Sequence, residues 1–157
     1  MSGKSKEARV AELIELYRIA ANRDVAFDRT AAERLGVSAT DLHCLNIIES
    51  RRGLTAGELA TESGLTTGAV TAVIDRLERA GLARRAADER DRRKVIVEVT
   101  AEFYERAGEI WGPVAADWQR SMSRRFSAEE LSVIAEFLEQ AGGLAARHAE
   151  RISRVED

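Results

Sequence analysis

Residues 66–82 read TTGAVTAVIDRLERAGL, and the fold turns on them. Val70, Val73, Ile74 and Leu77 recur in steps of three and four, and Gly81 follows as a stop. That is an amphipathic helix closed by a glycine. Its other side holds Thr67, Gly68, Thr71, Ala72, Asp75 and Arg76. A solvated helix face is ordinarily built from Glu and Lys, which favour helix. Here the first two turns are small and uncharged. The preceding stretch, AGELATESGL at 56–65, puts Ala60 where two helices must approach, Gly64 at a tight turn, and Leu59 and Leu65 inward with Val70 and Val73. A helix-turn-helix needs this arrangement, because its two helices cross steeply with only three or four residues between them.

A recognition helix presses its N-terminal turns against base edges in the major groove, where bulky residues would hold the backbone away. Thr67, Thr71 and Ala72 offer hydroxyl and methyl contacts, while Thr66 caps the helix and turns its first amides toward a phosphate. Thr66, Thr67, Gly68, Ala69, Thr71, Ala72, Asp75 and Arg76 are the candidate DNA contacts of this helix; for Gly68 and Ala69, close packing against a neighbouring helix is an equal reading.

Two short segments follow, LARRA and KVIVEVT, β-branched or alternating, on either side of the polar ADERDRR. They read as a two-stranded hairpin with a charged tip. Between positions 84 and 94 stand six cations (Arg84, Arg85, Arg90, Arg92, Arg93, Lys94) against three anions (Asp88, Glu89, Asp91), in a chain whose formal net charge is −3. Net charge alone argues against a polyanionic partner, but its distribution leaves a local basic footprint. Arg90, Arg92, Arg93 and Lys94 are the candidate backbone or minor-groove contacts, with one of Asp88, Glu89 and Asp91 orienting a neighbouring arginine.

Outside this centre the chain reads as helix. An apolar stripe, Val10, Leu13, Tyr17, Ala20 and Phe27, marks a long helix over 9–35 that ends at Gly36. Asp24 lies in the same phase, either as a break or as a buried polar group with a partner. SATDLHCLNIIES gives a second helix with Thr40 as N-cap and Leu42, Leu45 and Ile48 inward. Thr55 and Glu58 form a capping box for a short third helix. From Thr100 helix resumes to about Arg124, with a kink or break expected at Gly112-Pro113. Ser127 and Glu130 open the last helix, whose seam is Leu131, Ile134, Leu138, Ala141, Ala145, His148, Ile152 and Val155, spaced like a coiled coil.

The expected fold is mainly α with a small β-wing: a winged helix-turn-helix of about six helices and one two-stranded hairpin. The long terminal helices lack an obvious partner in a small central unit. Pairing them with each other and with a second chain is the economical arrangement.

With 157 residues and one proline, 45% hydrophobic and 32% charged, the chain is long enough to bury a core. It has no apolar run of about 18 residues to span a bilayer, and MSGKSKEARV lacks the apolar stretch of a signal peptide, so a cytoplasmic location is expected. A single cysteine, Cys44, excludes an internal disulfide framework. Set among apolar residues in DLHCLNII, it reads as an inert buried thiol. With His43 it makes no metal pair, since adjacent helical residues diverge by about 100 degrees. No cofactor is indicated. Two histidines, no glycine-rich phosphate loop and no G-x-S-x-G argue against an enzyme. A winged-helix module that binds protein instead of DNA is the alternative; the wing arginines speak against it.

LTAGELATESGLTTGAVTAVIDRLERAGLARR followed by DERDRRKVIVEVT resembles the MarR family of winged helix-turn-helix transcription regulators, in the DRLExxGL helix end and the D-R-R wing. The likeness is most specific over 54–100 and, by helix order, extends over nearly the whole chain. It implies one MarR-like domain over 1–157, with a DNA-binding lobe over 37–100 and dimerisation helices over 1–36 and 101–157. It further implies an intertwined homodimer binding a pseudo-palindromic operator in double-stranded DNA, usually as a repressor. The recognition helix maps to 66–80 and the wing arginine to Arg93, beside Asp91. Phe103 departs from the pattern, standing where members often carry glycine. The resemblance also implies a small aromatic or lipophilic effector, for which Asp24, Phe27, His43, Ile47, Tyr104 and Trp111 are the candidate lining residues.

Overall fold

The computed structural model describes residues 5–88 and 91–153. Its elements are α1 (Lys6–Leu35), α2 (Ala39–Arg51), α3 (Ala56–Ser63), α4 (Thr67–Arg79), β1 (Ala83–Ala87), β2 (Val95–Val99), α5 (Ala101–Arg125) and α6 (Ala128–Ser153). Six helices and one antiparallel hairpin is the expected architecture. The chain forms two compact units that part between Ile110 and Trp111.

Each helix start in the first unit has a chemical cause. Ser38, not Thr40, caps α2: its hydroxyl accepts from the Asp41 amide at 3.1 Å, and the Asp41 carboxylate accepts from the Ser38 amide at 3.3 Å. The reciprocal box needs a carboxylate three residues after the cap, which Ser38 has in Asp41. The expected box of Thr55 and Glu58 opens α3, and Thr66 opens α4 by accepting from the Ala69 amide at 3.3 Å.

The core is the meeting place of α2, α3, α4 and the foot of the wing. Leu45, Ile48, Leu59, Val70, Ile74, Leu77 and Leu82 are fully buried there with Cys44 and Val97. All four apolar positions of the α4 stripe point inward. Burying such side chains contributes about 1.5–3 kcal/mol each, so this stripe outweighs any one polar contact in fixing α4. Leu54 pairs with Val97 as an antiparallel bridge, which pins the loop before α3 to β2. Thr100 closes the hairpin: its hydroxyl donates to the Gly81 carbonyl at 2.6 Å and accepts from the Phe103 amide at 3.2 Å. Phe103 is itself buried, so the departure at this position adds core and leaves the start of α5 capped.

One buried charge lies among these elements. Asp41 is 3% exposed, and its carboxylate accepts from Nε and Nη2 of Arg76 at 3.2, 3.2 and 2.6 Å. Burial by itself raises the Asp41 pKa, but the hydrogen bonds from Arg76 and Ser38 outweigh it and hold the carboxyl below its ordinary value.

The first helix behaves differently. Only Ala31, Ala32 and Leu35 near its end are buried, where Arg106 of α5 donates to the Leu35 carbonyl. The expected stripe is open: Val10 is 48% exposed and Leu13 45%, and Ile14 and Val25 are more so. Asp24 is exposed, a break in the stripe and not a buried polar group. The half-buried carboxylate is Asp28, raised first by burial and then by the charge of Asp24, with His43 opposing.

In the second unit α5 runs unbroken through Gly112-Pro113. The expected break does not occur, because proline removes one amide donor while the flanking turns keep theirs. Ser127 and Glu130 form the expected box at the start of α6. Along its seam Leu131, Ile134 and Ala141 are half-buried, whereas Leu138, Ala145, His148 and Ile152 are exposed; Val155 lies outside the described residues. No helix among the described residues is long and apolar enough to cross a membrane.

Two stability predictions follow from these contacts. The depressed Asp41 pKa contributes stability that is full above the ordinary carboxylate value, about pH 4, and is lost as pH falls through the lower native value. Asp41→Asn therefore lowers stability at pH 7 by about 1–2 kcal/mol, and its urea midpoint falls less steeply than that of the wild type below pH 4. Gly53, at φ +99, is also tightly enclosed: an added Cβ would lie 3.1 Å from Ile96 Cδ1 and 3.4 Å from the Val97 carbonyl oxygen. Gly36, at φ +75, faces open space. Gly53→Ala is accordingly expected to cost about 2–3 kcal/mol and Gly36→Ala about 1 kcal/mol, compared by denaturant midpoint.

Candidate nucleic-acid interface

The stripe that buries α4 leaves the opposite side of the helix with no packing role in the core. Thr66, Thr67, Gly68, Ala69, Thr71, Ala72, Asp75 and Arg76 are all exposed. A Cβ built on Gly68 meets nothing within 4 Å, so packing within the chain does not explain the small residue there. Of the hydroxyls, Thr66 is turned back to cap the helix, and Thr71 donates to the Thr67 carbonyl at 3.0 Å. The Thr67 side chain stands in the first turn, next to the free amides of the helix N-terminus. A narrow, uncharged rod end with hydroxyls and methyls is the surface that results.

Of the charged residues on this side, Asp75 and Arg76 are both engaged by other elements, while Arg79 in the last turn donates, among the described residues, only to the Asp75 carbonyl, at 3.1 Å. Arg76 holds Asp41, as described above. Asp75 accepts from Arg85 Nη2 at 2.8 Å, and Arg85 also donates through its backbone amide to Glu78 Oε1 at 2.9 Å and through Nη1 to Glu78 Oε2. Arg85 lies on β1, so this cluster ties the C-terminal half of α4 to the first strand of the wing.

In the hairpin, β1 pairs with β2 from Ala83 opposite Val99 to Ala87 opposite Val95. At about 3.3 Å per residue the strands carry the tip roughly 13 Å beyond their foot. Arg84 stands directly opposite Glu98 and donates to it from Nε at 2.7 Å. The basic stretch read from the sequence is therefore sorted by position. At the foot, Arg84 and Arg85 are neutralised by acids of the same unit. At the tip, Arg92, Arg93 and Lys94 are exposed, and among the described residues Arg92 and Lys94 make no salt bridge. Asp91 accepts from both the backbone amide and Nε of Arg93 at 3.2 Å. Those two bonds, the side-chain one first, hold the Asp91 carboxyl below its usual range. Arg93, with its side chain 91% exposed, is thus oriented by its neighbour and still open to solvent. Glu89 and Arg90 lie outside the described residues.

The six residues considered for an effector are dispersed over several elements. Asp24, Phe27 and His43 are exposed and Ile47 is half-buried beside the core. The charges of Asp24 and His43 both act on Asp28. Tyr104 lines a cleft of about 400 Å³ with Glu49, Arg52, Glu98 and Val99, a lining that includes none of the other five. Trp111 belongs to the second unit. Cys44 is fully buried, and burial, with the Asp41 charge next, pushes its thiol up.

Sequence reasoning missed the acids that partner the arginines: Asp41, Glu78 and Glu98. A signal existed for Asp41, since Ser38-x-x-Asp41 is itself a capping-box pattern. None existed for the pairing across 35 residues to Arg76, because separation in sequence says nothing of proximity.

The MarR family model matches residues 37–95. A Bacillus subtilis (strain 168) protein described as an HTH-type transcriptional regulator, YcgE, is 33% identical over 141 residues, covering 90% of this chain and 91% of its own length. A MarR family protein from Bacillus stearothermophilus has a similar structure, with TM-score 0.66 at 24% identity over 91% of this chain and 99% of that one. A mutant of S. aureus MepR, solved bound to an oligodeoxyribonucleotide, superposes with TM-score 0.54 at 20% identity over 84% of this chain and 97% of its own. Those two likenesses concern the fold; the match to YcgE runs through the sequence as well, across the capped helices and paired strands just described. On these grounds the chain belongs to the MarR family of winged-helix, DNA-binding transcription regulators.

Proposed function

We infer that this regulator works as a homodimer that seats two copies of α4 in successive major grooves of a pseudo-palindromic operator and represses by occupying it. The observation that carries the reading is the separation of duties on α4: one side wholly buried, the other exposed and, over residues 66–72, small and uncharged. Such a face fits against base edges at short range, and little else explains its composition on a solvent-facing helix. Thr66, Thr67, Gly68, Ala69, Thr71 and Ala72 are the reading surface. Arg92, Arg93 and Lys94 at the wing tip, together with Arg90 from the sequence, are the phosphate or minor-groove contacts.

The dimer rests on the open stripes of α1 and α6. Each of these two long helices leaves a row of apolar side chains exposed, forgoing the burial that helices of this length ordinarily rely on, and a second copy of the chain supplies matching stripes. In a twofold dimer the two recognition helices come to face the duplex about 34 Å apart, one turn of DNA. That a MepR mutant of similar fold was solved bound to an oligodeoxyribonucleotide supports DNA as the partner.

Selection of bound fragments from a random duplex pool tests the reading. The expected product is an inverted repeat with half-sites one helical turn apart, and the protein sediments as a dimer; a pool without enrichment, or an asymmetric single site, overturns it. Repeated with Thr71→Val, the selection relaxes one base-pair position in each half-site, corresponding to about 1–3 kcal/mol of lost discrimination. Arg93→Ala weakens binding to every duplex alike and makes log K less steep against log salt by about 0.9 per protomer, measured by fluorescence anisotropy. Unchanged affinity and slope in that variant remove the wing from the interface.

A further inference from the structure

We propose that Asp41 is a specificity-determining residue. By holding the Arg76 guanidinium it keeps the exposed side of α4 electrically neutral from its start through Arg76, with Arg79 in the last turn the first cation left without a carboxylate partner among the described residues, so that the reading end of the helix gains little from phosphates and depends on base contacts. The proposal rests on the reading that α4 enters the major groove.

Arg76 is the only cation between positions 66 and 76. It follows Ala72 by four residues, and residues so spaced share a helix face, which places it directly behind the reading surface. Its side chain is 43% exposed while that of Asp41 is 4% exposed. The pair therefore lies at the edge of the protein, with the acid inside and the base reaching out to solvent. A free arginine in this position would attach to almost any duplex, because DNA carries a phosphate charge about every 1.7 Å along its axis. Each such contact raises non-specific affinity and lowers the ratio of operator to bulk binding, the quantity that matters to a regulator.

Asp41 is suited to prevent this. It stands in the first turn of α2, where the Ser38 amide and the helix N-terminus favour its negative charge. It engages Arg76 through both Nε and Nη2, and charge-assisted bonds of this forked kind are the strong ones. Asp75 mirrors the device, since its charge is taken by Arg85 of the wing. Both charges on the exposed side of α4 up to Arg76 are thus compensated from outside the helix, and what faces outward before Arg79 is the uncharged surface of residues 66–72.

The experiment is a salt titration of binding to a duplex lacking the operator, and to the operator recovered by selection. It uses the full-length wild type, Asp41→Asn and the double variant Asp41→Asn/Arg76→Gln, each checked for cooperative thermal unfolding. Asn keeps the acceptor for Ser38 but releases the guanidinium. Asp41→Asn is expected to steepen the salt dependence on non-operator duplex by about 0.9 per protomer and to reduce the operator to non-operator ratio by about threefold or more at 50 mM salt. The double variant returns the slope to that of the wild type. Equal slopes for wild type and Asp41→Asn overturn the proposal and leave Asp41 a purely structural acid. Arg76→Gln alone provides a second measurement that does not depend on Asp41→Asn folding: its slope must equal that of the wild type, and a shallower one shows that Arg76 already touches phosphate. A wild type that retains no duplex at all defeats the major-groove reading itself, and this proposal with it.

Discussion

The arrangement depends on one constraint: a helix that is to be presented to a partner must be held by one side only. Val70, Val73, Ile74 and Leu77 supply that hold, each essentially without solvent exposure. Their burial against α2, α3 and the foot of the wing contributes several kcal/mol in total, more than the neighbouring polar contacts together. The outer side is consequently relieved of any packing role, which is why Gly68 can sit in open space and why threonines and alanines replace the usual Glu and Lys. The exposed residues among 66–72 take no part in core packing.

Polar contacts then decide how the helix is aimed. The Arg76–Asp41 pair ties α4 to the start of α2, and the Asp75–Arg85–Glu78 cluster ties it to β1. Exposed ion pairs contribute little to stability, and the second cluster is of that kind. Its effect is geometric: Glu78 accepts from the strand's own backbone amide as well as from the guanidinium, so the angle between helix and wing is fixed by three bonds. At the far end of the hairpin the logic reverses. Arginines and a lysine are left facing water, and the Asp91 carboxylate restrains Arg93 without covering it. One stretch of sequence thus holds structural cations at its foot and available ones at its tip.

The long helices stand in contrast to this well-filled centre. Most of α1 buries nothing within its own chain, and the outer positions of the α6 seam are likewise open. Leaving such stripes in water forgoes the burial that helices of this length ordinarily rely on. In the homodimer proposed above, a second copy would restore it and couple dimer formation to the spacing of the two α4 helices.

Much of this was legible in the residues. The period of three and four in α4, the small positions of the turn, the capping boxes at Thr55 and Ser127 and the charged hairpin all appear where local chemistry placed them, because each depends on neighbours within four residues. Short-range rules failed only where two candidates competed, as Thr40 did with Ser38, or where a proline could be absorbed, as Pro113 is within α5. The sequence by itself determined which segments are helix or strand and which side of α4 turns inward. Only the tertiary structure decided which charges remain available. Arg76 and Arg85 look like Arg92 and Arg93 on the page, yet the first two meet carboxylates brought from 35 and from seven to ten residues away, and electrostatic neutralisation depends on distance in space, which folding sets and spacing along the chain does not.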